Sequence, residues 1–249
     1  MRIDVITLFP QMFDGVISYG VIHRAIKNGK INIKFWNLRD FAKDKHKTVD
    51  DRPYGGGAGM VLKPEPIIRA IRRIKKESKK NKPWIVYLSP QGKVLNQQKV
   101  FELFEKKWLV LLCGRYEGVD ERVMKFVDEE ISIGDYILTG GEPAAMVLID
   151  AVCRYAKGVV KEKDSLLKES FITKFLDAPH YTRPRVYMGM KVPEVLLSGD
   201  HKKIRLFRLK EAIRNTYIKR PDLLSKINLS NLEKHLLKEI IKEENRRKI

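Results

Sequence analysis

The first 156 residues alternate between short apolar runs, which predict strands, and amphipathic stretches, which predict helices. Strands are predicted over 3–9, 31–36, 84–88, 108–113 and 131–133. Helices are predicted over 12–27, 65–78, 96–107, 119–127 and 142–156. Strands that are apolar throughout, such as 84–88 and 108–113, are typical of parallel sheets covered by helices on both faces. We therefore predict an α/β fold with a mostly parallel sheet.

The pattern changes at residues 158–170, where Val159 and Val160 are followed by the charged segment KEKDSLLKES. We interpret this segment as a flexible linker between two domains. Beyond it, helices are predicted over 202–218 and 230–243, the second with its leucines and isoleucines on one face. The predicted organisation is an α/β domain over 1–157, a linker over 158–170 and a small helical domain over 171–249.

Positive charge exceeds negative charge strongly, with 50 Lys and Arg against 31 Asp and Glu, a formal net charge of +19. Such an excess favours a polyanionic partner, because Lys and Arg release counterions from the phosphates they bind. The bases concentrate over residues 69–82 and again after His201. An ordinary solvated helix face is the alternative interpretation of both clusters, and the function of the first cluster stays open.

Several properties of the sequence bear on location. No apolar run reaches the roughly 18 residues that a membrane span needs. The first ten residues carry an acid at Asp4 and lack the apolar core of a secretory leader. Two cysteines, Cys113 and Cys153, exclude a disulfide framework and favour a reducing compartment. We expect a cytoplasmic protein without a membrane partner.

Common catalytic fingerprints are absent from the sequence. The glycine-rich run 54–59 fits neither a dinucleotide fingerprint nor a P-loop, no nucleophile elbow occurs, and the cysteines and histidines lack metal-ligand spacing. Three glycine-bearing loops, 88–92, 113–118 and 132–142, follow predicted strands. Ligands of open α/β sheets bind at the carboxyl ends of strands, and glycine allows close backbone approach. These loops are therefore expected to surround one flat ligand such as a purine.

Several blocks of sequence carry a family resemblance: LSPQG, CGRYEGVDER, SIGDYILTGGE, PHYTRP and VPEVLLSGDH, with RPYGGGAGMV and KRPDLL beside them. Through them nearly the whole chain closely resembles the bacterial tRNA (guanine-N1)-methyltransferases of the SPOUT class. The resemblance implies a deep trefoil knot in the cofactor-binding methyltransferase domain and a homodimer with its active site at the subunit interface. It also implies methyl transfer from S-adenosylmethionine (S-adenosyl-L-methionine) to N-1 of guanosine at tRNA position 37, 3′ of the anticodon, with tRNA bound by the helical domain.

The same resemblance assigns cofactor contacts to residues of the three loops. They are Tyr87, Leu88, Ser89, Pro90, Gly114, Tyr116, Glu117, Ser132, Ile133, Gly134, Tyr136, Leu138, Gly140 and Gly141. Mg2+ is a further cofactor expectation, with no residues assigned to it.

The chemistry of the acceptor explains which catalytic groups are needed. N-1 of neutral guanine carries a proton, so methylation requires a general base, and a cation near the oxo group would stabilise the negative charge that develops there. The resemblance assigns the base to Glu169 and the cation to Arg154. The family pattern usually has Asp at the first of these positions, and one more methylene moves the carboxylate by about 1.5 Å. Asp177 is the alternative base.

Other interpretations stay open at this point. Glu169 is also compatible with a solvated linker acid, and Arg154 with an ion pair to Asp150 one helical turn earlier. A SPOUT enzyme that methylates another atom and a non-catalytic RNA-binding protein are the alternative functions. Three further residues are candidates for stacking on RNA or holding its phosphates: Tyr181, Arg183 and Arg185.

Overall fold

The computed structural model describes residues 1–78, 81–156, 158–159, 169–225 and 227–247. The chain divides into two compact units, Met1–Lys161 and Glu162–Ile249, which are described separately. The division falls in the segment predicted as a linker, 158–170, of which residues 160–168 lie outside the described residues. The predicted domain boundaries and the flexibility of that segment therefore stay predictions.

A five-stranded sheet forms the centre of the first unit. The strands of this unit are β1 (Arg2–Thr7), β2 (Asn32–Asn37), β3 (Asp50–Asp51), β4 (Val61–Leu62), β5 (Trp84–Val94), β6 (Trp108–Cys113) and β7 (Glu129–Ser132). The central sheet has the order β2-β1-β6-β5-β7, and every neighbouring pair in it is parallel. Only the short β3–β4 pair is antiparallel in this unit's described residues. The predicted α/β fold with a mostly parallel sheet is confirmed.

Helices cover both faces of this sheet. They are α1 (Asp14–Ile17), α2 (Gly20–Lys27), α3 (Pro64–Lys75), α4 (Gln97–Glu105) and α5 (Glu142–Cys153). Side chains alternate along each strand, so that Ile3 and Val5 pack towards α2, α4 and α5, while Ile6 packs towards α3. Two apolar layers result, one on each face, and they hold the carboxyl ends of the strands at one edge.

Two predicted helices differ from the observed elements. The stretch 12–27 is divided into a 3₁₀ turn, Pro10–Phe13, and the helices α1 and α2. The break comes where Tyr19 is extended and Gly20, the first residue of α2, has φ +70°, so neither residue has a right-handed helical conformation. The predicted helix 119–127 is a 3₁₀ turn over Glu121–Phe126.

The predicted loop 88–92 is part of strand β5. Pairing of β5 with β7 shifts register between Leu88 and Lys93, so these residues form a bulge rather than a connection. Pro90 has no N–H to give to a ladder, and Gly92 lies so close to β7 that a Cβ would stand 2.4 Å from the Ile131 nitrogen. The bulge turns this stretch towards the strand ends.

The second unit contains helices and one antiparallel pair of strands. Its elements are β8 (Val186–Tyr187), β9 (Met190–Lys191), α6 (Glu194–Leu197), α7 (His201–Lys219), α8 (Pro221–Leu224) and α9 (Asn231–Arg247). The helices predicted over 202–218 and 230–243 correspond to α7 and α9. Phe175, Ile213, Leu236 and Ile240 form the buried core of this unit.

Candidate cofactor pocket and catalytic residues

A cavity of about 400 Å³ lies where strands β5, β6 and β7 end. All of the predicted cofactor-binding residues line it: Tyr87, Leu88, Ser89, Pro90, Gly114, Tyr116, Glu117, Ser132, Ile133, Gly134, Tyr136, Leu138, Gly140 and Gly141. Their role as cofactor contacts stays a prediction, but the structure brings them together around one space. Ligand sites in α/β sheets are expected at this edge.

The cavity lining includes residues that were not predicted. Among them are Gln91, Arg115, Gly118, Val119, Glu121, Met124, Glu130, Ile131, Ile137 and Ala144. Glu121 and Met124 lie on the 3₁₀ turn that follows the CGRYEGVD block, and that continuity in sequence was the signal available for finding them. With Glu117, Glu121 and Glu130 in the wall, the cavity carries more carboxylates than cations, which suits a positively charged ligand.

Glycine allows two of the cavity loops to touch. The Gly141 N–H donates a hydrogen bond of 2.8 Å to the Gly114 carbonyl. A Cβ on Gly141 would stand 2.8 Å from the Cα of Cys113, and a Cβ on Gly114 would stand 2.8 Å from the Tyr87 hydroxyl. A side chain at Gly141 would therefore push the two loops apart, and one at Gly114 would displace the Tyr87 ring.

A buried ion pair holds the same loops together. The Arg115 Nε donates to Glu142 at 2.9 Å, and the Thr7 hydroxyl donates to the other oxygen of that carboxylate at 2.7 Å. Arg115 also donates to the Thr139 carbonyl at 3.0 Å, and its guanidinium stands 4.7 Å from the centre of the Phe9 ring. The side chain of Glu142 is fully buried. These contacts connect the end of β1, the loop after β6 and the start of α5.

The loop after β7 is folded by its own side chains. The Gly134 N–H donates to the Ser132 hydroxyl oxygen at 3.2 Å, and the Tyr136 hydroxyl donates to the Ile133 carbonyl at 3.2 Å. Gly134 has φ +146°, and the Tyr136 ring occupies the place of its absent side chain. Ile137, 80% exposed, adds an apolar residue to the wall beside Tyr136. The loop thus offers exposed apolar surface to a ligand or partner.

Arg154 is placed at the other end of α5 from the cavity. It caps the C-terminus of that helix, and its N–H donates to the Asp150 carbonyl at 3.3 Å. The cavity is lined by Gly141 and Ala144, at the helix N-terminus. At 1.5 Å per residue, Ala144 and Arg154 are separated by about 15 Å along the helix axis. Arg154 therefore does not line the cavity of its own chain.

The two candidate bases lie in the second unit, close together in sequence. The Glu169 carbonyl accepts from the Ile172 and Thr173 N–H groups at 3.2 Å, forming a turn. The Asp177 N–H donates to the Ser170 hydroxyl oxygen at 2.9 Å, and the Asn215 side chain donates to the Asp177 carbonyl at 2.7 Å. The segment is thus fastened to helix α7. One carboxylate oxygen of Asp177, Oδ1, is buried without a hydrogen-bond partner in the described residues.

The cavity fits S-adenosylmethionine on three observations. Its volume lies in the range of small-molecule sites, roughly 300–1,000 Å³. Its walls combine apolar side chains such as Leu88 and Ile133 with glycine backbone that can approach a flat base, and its carboxylates suit a sulfonium cation. Burial raises the pKa of the Tyr87 phenol, so this wall residue stays neutral near pH 7.

The described residues hold neither a metal-binding cluster nor a helix suited to crossing a membrane. No group of three or more His, Cys, Asp or Glu is arranged there to hold a metal ion, so no residues are assigned to Mg2+. None of the helices in this part of the chain has both the length and the apolar character that crossing a membrane would require.

Comparison with known proteins identifies the family. The sequence matches the model of the tRNA (guanine-1)-methyltransferase TrmD family over residues 1–226. A tRNA (guanine-N(1)-)-methyltransferase of Dictyoglomus turgidum is 53% identical over 243 residues, 98% of this chain and 98% of the relative. Proteins with the same name from Thermosipho melanesiensis (54% over 243 residues, 98% of each chain) and Buchnera aphidicola (53% over 239 residues, 96% of this chain and 90% of the relative) are equally similar. The chain therefore belongs to the bacterial tRNA (guanine-1)-methyltransferase family, a family of SPOUT-class enzymes.

Proposed function

We propose that this protein transfers a methyl group from S-adenosylmethionine to N-1 of guanosine at position 37 of tRNA. The observation that carries the proposal is the single cavity formed by LSPQG, CGRYEG and SIGDYILTGG, in a chain whose relatives bear the name of this activity. A tRNA substrate also agrees with the net charge of +19, and for an enzyme of this function we infer a cytoplasmic location.

The loop residues would bind and orient the methyl donor. The backbone around Gly114 and Gly141 would hold the purine, because both residues line the cavity and expose main-chain N–H and C=O groups with no side chain of their own in front of them. Glu117, Glu121 and Glu130 would favour the cationic form of the ligand over its neutral product. When bound, S-adenosylmethionine supplies an electrophilic methyl group. The protein's own contribution is to aim that group at the acceptor nitrogen and to exclude water.

The catalytic groups would act on the guanine itself. Glu169 would accept the N-1 proton, and Arg154 would stabilise the negative charge that grows on the neighbouring oxo group. Both assignments come from the family resemblance. Glu169 forms a turn eight residues before the anchored Asp177, which supports a carboxylate in this segment.

A homodimer would complete the active site. Arg154 and the cavity of one chain are separated by about 15 Å along α5, too far for both to act on one base. Helix α5 is apolar on nearly all sides, and Val147 is 48% exposed, which is typical of a helix covered by another chain. In a symmetric dimer, Arg154 of one copy would serve the cavity of the other.

The finer architecture follows the same family. We infer a deep trefoil knot formed by the loops 113–118 and 132–142, in keeping with the contact of Gly141 with Gly114. We infer domains over 1–157 and 171–249 joined by the linker 158–170. The helical domain would bind the tRNA backbone, since residues 201–249 hold 15 bases and six acids.

Mapping the methyl group tests the proposal. Unmodified tRNA transcripts with G37, and matched transcripts with A37, would be incubated with the protein and labelled S-adenosylmethionine. The expected product is one methyl group on N-1 of G37, found by nuclease digestion and mass spectrometry, and none in the A37 transcript. A methyl group on a ribose or another base would indicate a different SPOUT activity. Binding of tRNA without any transfer would indicate a non-catalytic RNA-binding protein.

A further inference from the structure

Helix α3 has an outer face made almost entirely of bases. Its apolar residues, such as Ile67 and Ile71, are buried against the sheet. The opposite side exposes four cations: Arg72, Arg73 and Lys75 of the helix, and Lys76, which caps its end. These four cations lie three or four residues apart in several combinations, an arrangement of like charges that disfavours an isolated helix.

The nearby acids do not neutralise this face. Glu77 is already bound by Arg2 at 2.6 Å and by Lys34 at 3.0 Å, and these bonds lower its pKa. Glu65 lies in the first turn of α3, at the far end of the helix. Within the described parts of the chain, no ion pair connects Arg73, Lys75 or Lys76 to a carboxylate. Their charge is therefore available to a partner.

The basic face is held in a defined place on the first unit, near the amino ends of the strands, where Glu77 binds Arg2 at the start of β1. Arg69 of α3 donates to the Phe41 carbonyl at 2.9 Å, and the Arg72 guanidinium stands 5.8 Å from the centre of the Phe126 ring. Phe126 ends the 3₁₀ turn whose Glu121 and Met124 line the cavity. The same short turn thus connects the cavity wall to the basic helix.

We propose that Arg73, Lys75 and Lys76 bind backbone phosphates of the tRNA whose nucleotide enters the cavity. This inference rests on the proposed function, and it adds a contact on the methyltransferase unit to the one expected from the helical unit. Phosphate contacts of this kind fix register and orientation but read no sequence. The basic cluster that the sequence left open is thereby given a function.

The test is a triple variant, Arg73→Gln, Lys75→Gln and Lys76→Gln, in the full-length protein. Its control is Arg24→Gln, Lys27→Gln and Lys30→Gln, which removes one Arg and two Lys, all exposed, from α2 and its end on the opposite face of the sheet. Direct binding of tRNA would be measured between 0.05 and 0.3 M salt without methyl donor. We expect the triple variant to lose about tenfold in affinity near 0.1 M salt, and the slope of log K against log salt to fall by about 2.

The outcomes separate this inference from the proposed function. Binding of a cofactor analogue should be the same in wild type, triple variant and control, which also reports on folding. If the triple variant keeps the affinity and salt slope of the control, the face does not contact RNA and the inference is wrong. Binding to phosphatidylserine vesicles would be measured for the same proteins. If the triple variant loses binding to the vesicles but not to tRNA, the face binds a lipid surface and the inference is wrong. If the wild-type protein binds tRNA but places no methyl group on N-1 of G37, the proposed function is contradicted instead.

Discussion

The Arg115 guanidinium donates to a Glu142 carboxylate that is fully buried, at a distance of 2.9 Å. The ion pair joins the loop after β6 to the first turn of α5, and Thr7 connects both to β1. Glu142 lies in the first turn of its helix, where a negative charge is also stabilised by the helix dipole. The walls of the cavity are thus fixed before any ligand enters, which reduces the ordering that binding requires.

Replacing Arg115 with Met should destabilise the protein by about 3–5 kcal/mol, because the variant leaves a buried carboxylate without its cation. Denaturant unfolding measures the change. The control is Arg122→Met, which breaks the exposed Arg122–Asp120 pair and should change stability little. Equal losses in the two variants would contradict the importance assigned to burial of Glu142.

Gly141→Ala should weaken cofactor binding, because the new methyl group would stand 2.8 Å from the Cα of Cys113 and separate the two loops. Overpacking of this kind costs about 1–3 kcal/mol. Calorimetry with a cofactor analogue measures the affinity. Gly15→Ala is the matched control, since a Cβ there has no neighbour within 4 Å and the residue is helical without a positive φ. Undiminished affinity in Gly141→Ala would mean that the loops separate without cost.

Much of the sheet could be predicted from sequence because its strands show a clear pattern of apolar residues. Strand β6, Trp108–Cys113, is apolar at every position and is buried throughout. Its sequence pattern therefore predicts a buried strand of a parallel sheet, as observed. The division of the stretch 12–27 could not be predicted, because its apolar positions keep helical spacing through the break. The break is set by the backbone conformations of Tyr19 and Gly20, two exposed residues whose spacing in the apolar pattern gives no sign of it.

The candidate site likewise contains residues that could be predicted from the sequence and residues that could not. Most cavity residues lie in three continuous blocks of sequence and could be predicted from them, whereas Met124, Glu130 and Ala144 lie outside those blocks and could not. Glu142 was missed as a structural residue, because nothing in a sequence shows that an acid 27 residues from Arg115 will be buried against it. The distance of Arg154 from the cavity, in contrast, follows from the sequence, because the predicted helix begins directly after the loop 132–142 and Arg154 lies near its other end.

A network of ions between α7 and α9 should make the second unit sensitive to acid. Arg214 is bound by Glu211, Glu243 and Glu244, and Lys210 by Glu243 at 2.8 Å. The bond from Arg214, and then that from Lys210, lowers the pKa of Glu243 from 4.5 to about 2. A depressed carboxyl pKa adds stability above the ordinary pKa, and this stability is lost as pH falls through the folded-state value.

The stability difference between wild type and Glu243→Gln should therefore be largest above pH 5 and should shrink towards pH 2. Unfolding of α7 and α9, followed by circular dichroism across this range, measures it. The exposed pair Arg220–Asp222 supplies a control in Asp222→Asn. A difference that is independent of pH would show that Glu243 acts through packing rather than through its charge.

Both cysteines should be unreactive in the folded protein. Burial raises the pKa of the Cys113 thiol well above 9.0, and the charge of Glu142 raises it further. Burial likewise raises the pKa of Cys153 to about 12. Because the thiolate is the reactive form, iodoacetamide at pH 8 should modify native protein at least about 10²-fold more slowly than unfolded protein. Rapid labelling of Cys113 would show that the end of strand β6, next to the cavity residue Gly114, opens.

Glu169→Gln should lower methyl transfer to G37 by about 10²–10⁴-fold, because the variant keeps the size of the side chain but cannot accept the N-1 proton. Single-turnover rates measure the loss, and cofactor-analogue binding should stay unchanged, since Glu169 lies outside the cavity lining.

Asp177→Asn is the matched comparison, because Asp177 holds its segment through its backbone bonds to Ser170 and Asn215, which this variant keeps. A large loss in Asp177→Asn with near wild-type turnover in Glu169→Gln would transfer the base role to Asp177, whose buried Oδ1 lacks a partner among the described residues. Glu169→Asp keeps the carboxylate but shortens the side chain by one methylene. This variant should retain most of the methyl-transfer rate if the segment can move by that length, and lose the rate if the carboxylate is held rigidly.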